Sequence, residues 1–134
     1  MLVKTLLEID KIIRFAKTIE QSFTQDENLS LFQIEALTYI SKPEIQTVTD
    51  LGNSLDTSPA SASVLIERLV KKNLVYRGYS DSDRRKVHVS LTKYGLREYK
   101  RLEKKRQEVI SDVQRLLSDD ETLLLNKLFA KLTI

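Results

Sequence analysis

The sequence has no cysteine and no tryptophan, a single histidine, two prolines and three glycines in 134 residues. Without thiols there are no disulfides, no thiol redox sensing and no thiolate metal site. One histidine cannot supply the several nitrogen or sulfur donors of a zinc sensor. Few glycines and prolines mean few helix breakers. No glycine-rich phosphate loop is present, and no serine stands in a G-x-S-x-G elbow. Catalysis is therefore the least supported class of function, and no cofactor is expected. No run approaches the roughly 20 apolar residues of a membrane span. The opening MLVKTLLEIDKIIRF is broken by Lys4, Glu8, Asp10, Lys11 and Arg14, so it lacks the apolar core of a signal peptide. A cytoplasmic protein without a membrane partner is the expectation.

What the sequence does have is helical periodicity and unevenly placed charge. Hydrophobic residues make up 41% and charged residues 31%, as in an ordinary globular chain. The length fits one domain. Net charge is only +3, yet Ser58 to Arg106 holds 14 basic against 5 acidic residues, and the rest 8 against 14. A basic middle between acidic flanks predicts a localised polyanion-binding face. A solvated charged surface is the bland alternative.

Leu2, Leu6, Ile9, Ile13, Ala16, Ile19 and Phe23 recur at steps of three and four, which predicts a helix over 2–24. Ser30 with Gln33, Thr47 with Asp50 and Ser118 with Glu121 have capping-box spacing. They predict helices over about 31–41, 48–55 and 119–132. Ser58 before Pro59 reads as N-cap and N1 of a helix running to about Lys72, with Asn73 as a left-handed C-cap. "LVYRGY" and "KVHVSL" read as two short strands. Val87, Val89 and Leu91 share one face of the second, and Lys86, His88 and Ser90 the other. Thr92 caps a long helix to about Leu117. The expected fold is mostly α with a small β-wing, a winged helix-turn-helix core with long terminal helices.

Two stretches carry chemistry. The 59–72 helix opens with Ser58, Pro59, Ala60, Ser61, Ala62 and Ser63 and later carries Arg68. Its apolar side is assigned to Val64, Leu65, Leu69 and Val70. Small first turns let a backbone approach a major groove, where hydroxyls reach base edges and an Ala methyl touches a thymine methyl. The other stretch is the wing tip, with Asp83, Arg84, Arg85 and Lys86. Arginines there suit the negative potential of a minor groove, and Asp83 can aim one guanidinium. The bland readings are a capped core helix and a solvated turn.

Residues 54–95 resemble the winged-helix core of the MarR (multiple antibiotic resistance regulator) family. The carrying pieces are "IERLVKKNLVYR", "DSDRRKVHVSLT" and Gly95. The resemblance implies a homodimer that binds a pseudo-palindromic operator in double-stranded DNA, usually as a repressor. It makes 59–72 the recognition helix, Arg85 the minor-groove arginine and Asp83 its buttress. Asn73 stands where the family usually has Gly. Members often bind a small-molecule effector, though nothing in this chain identifies one. Phe15, Phe23, Phe32 and Tyr39 are candidates for a pocket, but aromatics at helical spacing are more often core.

The chain is expected to be a single domain over 1–134. Segments 1–28 and 100–134 would be dimerisation helices, and 30–95 the DNA-binding lobe. Leu102, Val109 and Leu116 repeat every seven residues, with Val113 beside them. Together with Leu6, Ile9, Ile13, Leu124 and Leu128 they present more apolar surface than a small core covers, so a two-fold partner is expected. The rival to DNA binding is a winged helix repurposed for a protein or RNA partner.

Overall fold

A computed structural model of the chain describes residues 2–25, 27–45, 47–79, 82 and 85–132. The elements are α1 (Leu2–Thr24), α2 (Leu31–Ile40), α3 (Val48–Ser54), α4 (Pro59–Lys71), β1 (Val75–Tyr79), β2 (Val87–Leu91), α5 (Lys93–Gln114) and α6 (Asp119–Leu132). Among the described residues, no helix is long and apolar enough to cross a membrane.

The helix starts follow from side chains that satisfy otherwise orphaned amides. Ser30 Oγ accepts from Gln33 N at 3.2 Å, and Gln33 Oε1 accepts from Ser30 N at 3.1 Å. Thr47 and Asp50 form the same reciprocal pair at 3.1 and 3.0 Å. Ser118 and Glu121 repeat it before α6. At α4, Ser58 Oγ accepts from Ser61 N at 3.1 Å, with Pro59 in the first turn. Asn73 does take the left-handed conformation, at φ 58°. A second left-handed residue, Asp56 at φ 50°, makes the turn between α3 and α4. Asp tolerates that region better than most residues.

The expected boundaries hold within about three residues. The long helix stops at Gln114 rather than Leu117, where Leu116 N and Leu117 N donate three residues back. Each strand is one residue shorter than its apolar pattern. β1 and β2 pair antiparallel, with Val75 opposite Leu91 and Tyr79 opposite Val87. Val89 is buried and Ser90 exposed, as alternation demands. His88 alternates with buried Val89 on β2. It is half-covered, and its backbone forms a β-bridge with Thr47.

The chain divides into two compact units, residues 24–103 and residues 1–23 with 104–134. In the first unit Ile34, Leu37, Leu51, Ile66, Leu69, Leu74, Val75 and Val89 are buried, with contributions from α2, α3, α4 and both strands. Each such aliphatic side chain stabilises by about 1.5–3 kcal/mol. Thr92 locks the start of α5 to this core. Its hydroxyl donates to Asn73 O at 2.6 Å and accepts from Gly95 N at 2.8 Å. Gly95 lies so close to β1 that a Cβ there would sit 1.9 Å from Leu74 O.

The second unit is different. Phe23 is its one buried residue among those described. Ile9, Ile12, Ile13 and Phe15 of α1, and Leu124, Leu128 and Phe129 of α6, are all exposed. Leu102, which heptad spacing assigned to a partner-facing stripe, is corrected by its position. It belongs to the first unit and is 2% exposed, so its own chain already covers it. Its helical repeat matches that stripe, but its side chain is buried within its own chain. Leu6 has no described side chain.

Candidate nucleic-acid interface

The helix-turn-helix is set by a close crossing. A Cβ on Gly52 of α3 would lie 3.4 Å from Ala62 Cβ of α4. Ala62 is therefore fully buried, and its expected place at a base edge is corrected. It is the contact that lets the two helices approach. Ile66 and Leu69 continue this buried side one and two turns on.

The opposite face of α4 is exposed at Ala60, Ser61, Val64, Glu67, Arg68 and Lys71. Ser63 is half-covered. Val64, which its neighbours suggested for the core, is 49% exposed. The step Ala60–Val64–Arg68, four residues each, was the signal that places it on the outer face. Phe32 of α2 was also missed as a neighbour of this site. With Ala60, Ser61, Val64, Leu65 and Arg68 it lines a groove of about 360 Å³. The face thus offers a hydroxyl, methyl groups and two long cations, Arg68 and Lys71, suited to base edges, thymine methyls and phosphate respectively. Ser58 is already committed to its cap, where its Oγ also lies 3.0 Å from Ser61 Oγ.

On the wing, Arg85 and Lys86 are exposed. Asp83 and Arg84 lie outside the described residues. Arg85 and Lys86 do not line the α4 groove. Of the aromatics named as pocket candidates, Phe32 lines that groove, Phe23 is buried and Phe15 is exposed.

A cluster with no sequence signal braces the lobe. Arg101 of α5 makes a bidentate contact with Glu27, at 2.9 and 2.7 Å, across 74 positions of sequence. Glu98 holds the same guanidinium at 2.8 Å. The Glu27 side chain is only 7% exposed. The hydrogen bond to Glu27, then that to Glu98, raises the pKa of Arg101 above its ordinary value. Lys72 Nζ donates to Asn28 O beside it. The cations of this cluster are satisfied internally, unlike the outward face of α4.

The sequence pattern of the MarR family matches residues 29–87, from the approach to α2 through to β2. The match spans 59 of the 134 residues and places the resemblance in the helix-turn-helix and the start of the wing. The chain is similar to the HTH-type transcriptional repressor MdtR of Bacillus subtilis, 25% identical over 100 residues. That match covers 75% of this chain and 64% of MdtR, so the chain spans just under two thirds of the relative's length. The Escherichia coli MarR C80S mutant, solved with operator DNA, superposes with a TM-score of 0.78 at 20% identity. The superposition covers 100% of this chain and 99% of that one. Staphylococcus aureus MepR in complex with DNA gives a TM-score of 0.80 at 19% identity, covering 92% and 94%. These structures show that the architecture, wing included, is that of the MarR fold.

Proposed function

We propose that this chain is a MarR-type regulator, a dimeric, sequence-specific DNA-binding protein that represses transcription from a pseudo-palindromic operator in the cytoplasm. The observation that carries the reading is the outer face of α4, where Ala60, Ser61, Val64 and Arg68 stand exposed on a helix with a small-residue start. Exposed Arg85 and Lys86 on the wing supply cations for the neighbouring groove or phosphates. The uncovered apolar faces of α1 and α6 supply the reason for a second copy. Leu116, just beyond α5, is exposed as well, and Val109 and Val113 are half-buried. The repressor name of MdtR and the DNA held by MarR and MepR favour the same assignment.

A two-fold dimer presents two recognition helices to half-sites about one helical turn, or 34–36 Å, apart. Release by a small-molecule effector belongs to the same reading. An effector that favours a dimer with the wrong spacing costs one half-site contact.

Selection of duplexes from a random pool tests the proposal. The expected result is an enriched two-fold-symmetric site whose affinity falls steeply with salt. Arg85→Ala should weaken binding by about 1–3 kcal/mol at that site. Failure to enrich any sequence would overturn it.

A further inference from the structure

We infer that the outward face of α5 is a second nucleic-acid surface, which holds the phosphates of duplex DNA outside the operator. The inference rests on the DNA-binding reading above. Its observation is separate from those at α4 and the wing.

Lys93, Arg97, Lys100 and Lys104 follow one another at steps of four, three and four along α5. At 100° per residue they fall within an arc of about 60°, and they span about 16 Å of helix. All four are exposed. Gly95 and Leu102, on the other side of the helix, are buried. Glu98 and Glu103 are the acids of this stretch, and both lie off the arc.

Pairing separates these cations from their neighbours. Arg101 is taken by Glu27 and Glu98. Lys105 and Arg106, also off the arc, have partners of their own. The four on the arc have no carboxylate partner among the described residues, and Arg97 only stands over the Tyr94 ring at 6.0 Å. Arg101, Lys105 and Arg106 are thus engaged, and one straight row stands without a carboxylate among the described residues.

Exposed Tyr94 and Leu96 flank the row, but no apolar side chain lies on the arc itself, which makes the row a poor protein-binding hot spot. It is a good match for a rod that carries one negative charge per roughly 1.7 Å. The operator itself is an unsuitable occupant. The strand register puts Leu91, and Lys93 just after it, at the base of the wing, opposite Val75. The tip lies beyond the Tyr79–Val87 pair, about four residues or 14 Å further out. A duplex held at the tip leaves the row to engage DNA that returns to the protein, either as a bent flank or as a second segment.

The test compares a minimal duplex carrying the selected site with the same site centred in a duplex several times longer. Wild type and K93Q/R97Q/K100Q/K104Q are titrated on both across a salt series. Gln keeps helix propensity close to that of Lys and Arg, and thermal melting by circular dichroism checks that the variant is folded. For wild type, the slope of log affinity against log salt should be steeper on the long duplex by about 2–4, at about 0.9 per phosphate neutralised. The variant should lose that excess and keep its affinity for the minimal duplex within about twofold. Equal wild-type slopes on the two lengths would overturn the inference. So would a variant that retains the excess, including one that instead loses an acidic protein partner. Absence of binding to the minimal duplex by wild type would refute the operator-binding reading itself, and is told apart by that arm alone.

Discussion

The lobe of residues 24–103 hides its leucines and isoleucines, whereas the unit of 1–23 with 104–134 leaves most of its own in water. The lobe layers four helical segments and a hairpin around one interior, so Leu37, Leu51, Ile66 and Leu69 each meet neighbours on all sides. The other unit has only α1, α6 and the end of α5. So few helices cannot enclose an interior, and α6 buries none of its residues. The same residue types therefore do two jobs. In the lobe they fold the chain, and in the terminal unit they remain available for association.

The hardest blow to this contrast falls on the lobe interior. Leu37→Ala should cost about 2–5 kcal/mol of unfolding free energy by denaturant titration, whereas Leu124→Ala should cost under about 1 in a monomeric sample. If Leu124→Ala proved as costly without self-association, the two regions would not differ as described. Sedimentation of Leu124→Ala should instead show weaker self-association than wild type.

Next comes Gly95→Ala, where the added methyl meets the Leu74 carbonyl. Overpacking of this kind costs about 1–3 kcal/mol, and amide exchange should show β1 and the first turn of α5 opening more often. Arg101→Ala leaves the nearly buried Glu27 carboxylate without its cation. Because Arg101 itself is 49% exposed, the expected loss is only about 1–2 kcal/mol. The raised Arg101 pKa means its share of stability is present below the ordinary arginine value and is lost only as pH climbs past the raised one. A melting series from pH 6 to 9 should therefore show no titration of this pair that can be assigned to Arg101. The smallest effect is a gain: Asp56→Gly relieves the left-handed turn between α3 and α4 and should add about 0.5 kcal/mol or less to lobe stability.

Most of the fold was legible because its signals are local. Capping boxes at Ser30, Thr47 and Ser118, the Ser58–Pro59 start and the Asn73 stop each act within a few residues of chain. What could not be read is non-local. Glu27 and Arg101 meet across 74 positions, and no spacing announces such a pair. The bridge between Thr47 and His88 joins the start of α3 to the wing in the same way. On α4 the helix was legible but its rotation was not. Ala62 looks like a reading residue until Gly52 is seen beneath it, and Val64 looks like core until Phe32 is seen beside it. On α5 the heptad spacing of Leu102 described the helix correctly, but the spacing alone did not show that its own chain buries it.

The seam at Gly95 has a practical consequence for anyone who builds chimaeras from such proteins. Thr92 reaches back to Asn73, and position 95 lies flush against Leu74. A donor wing cut at the ends of its two strands would leave these matching edges in different parents. Residues 73–95 are better exchanged as one cassette, in which the cap, hairpin and glycine arrive already fitted to each other.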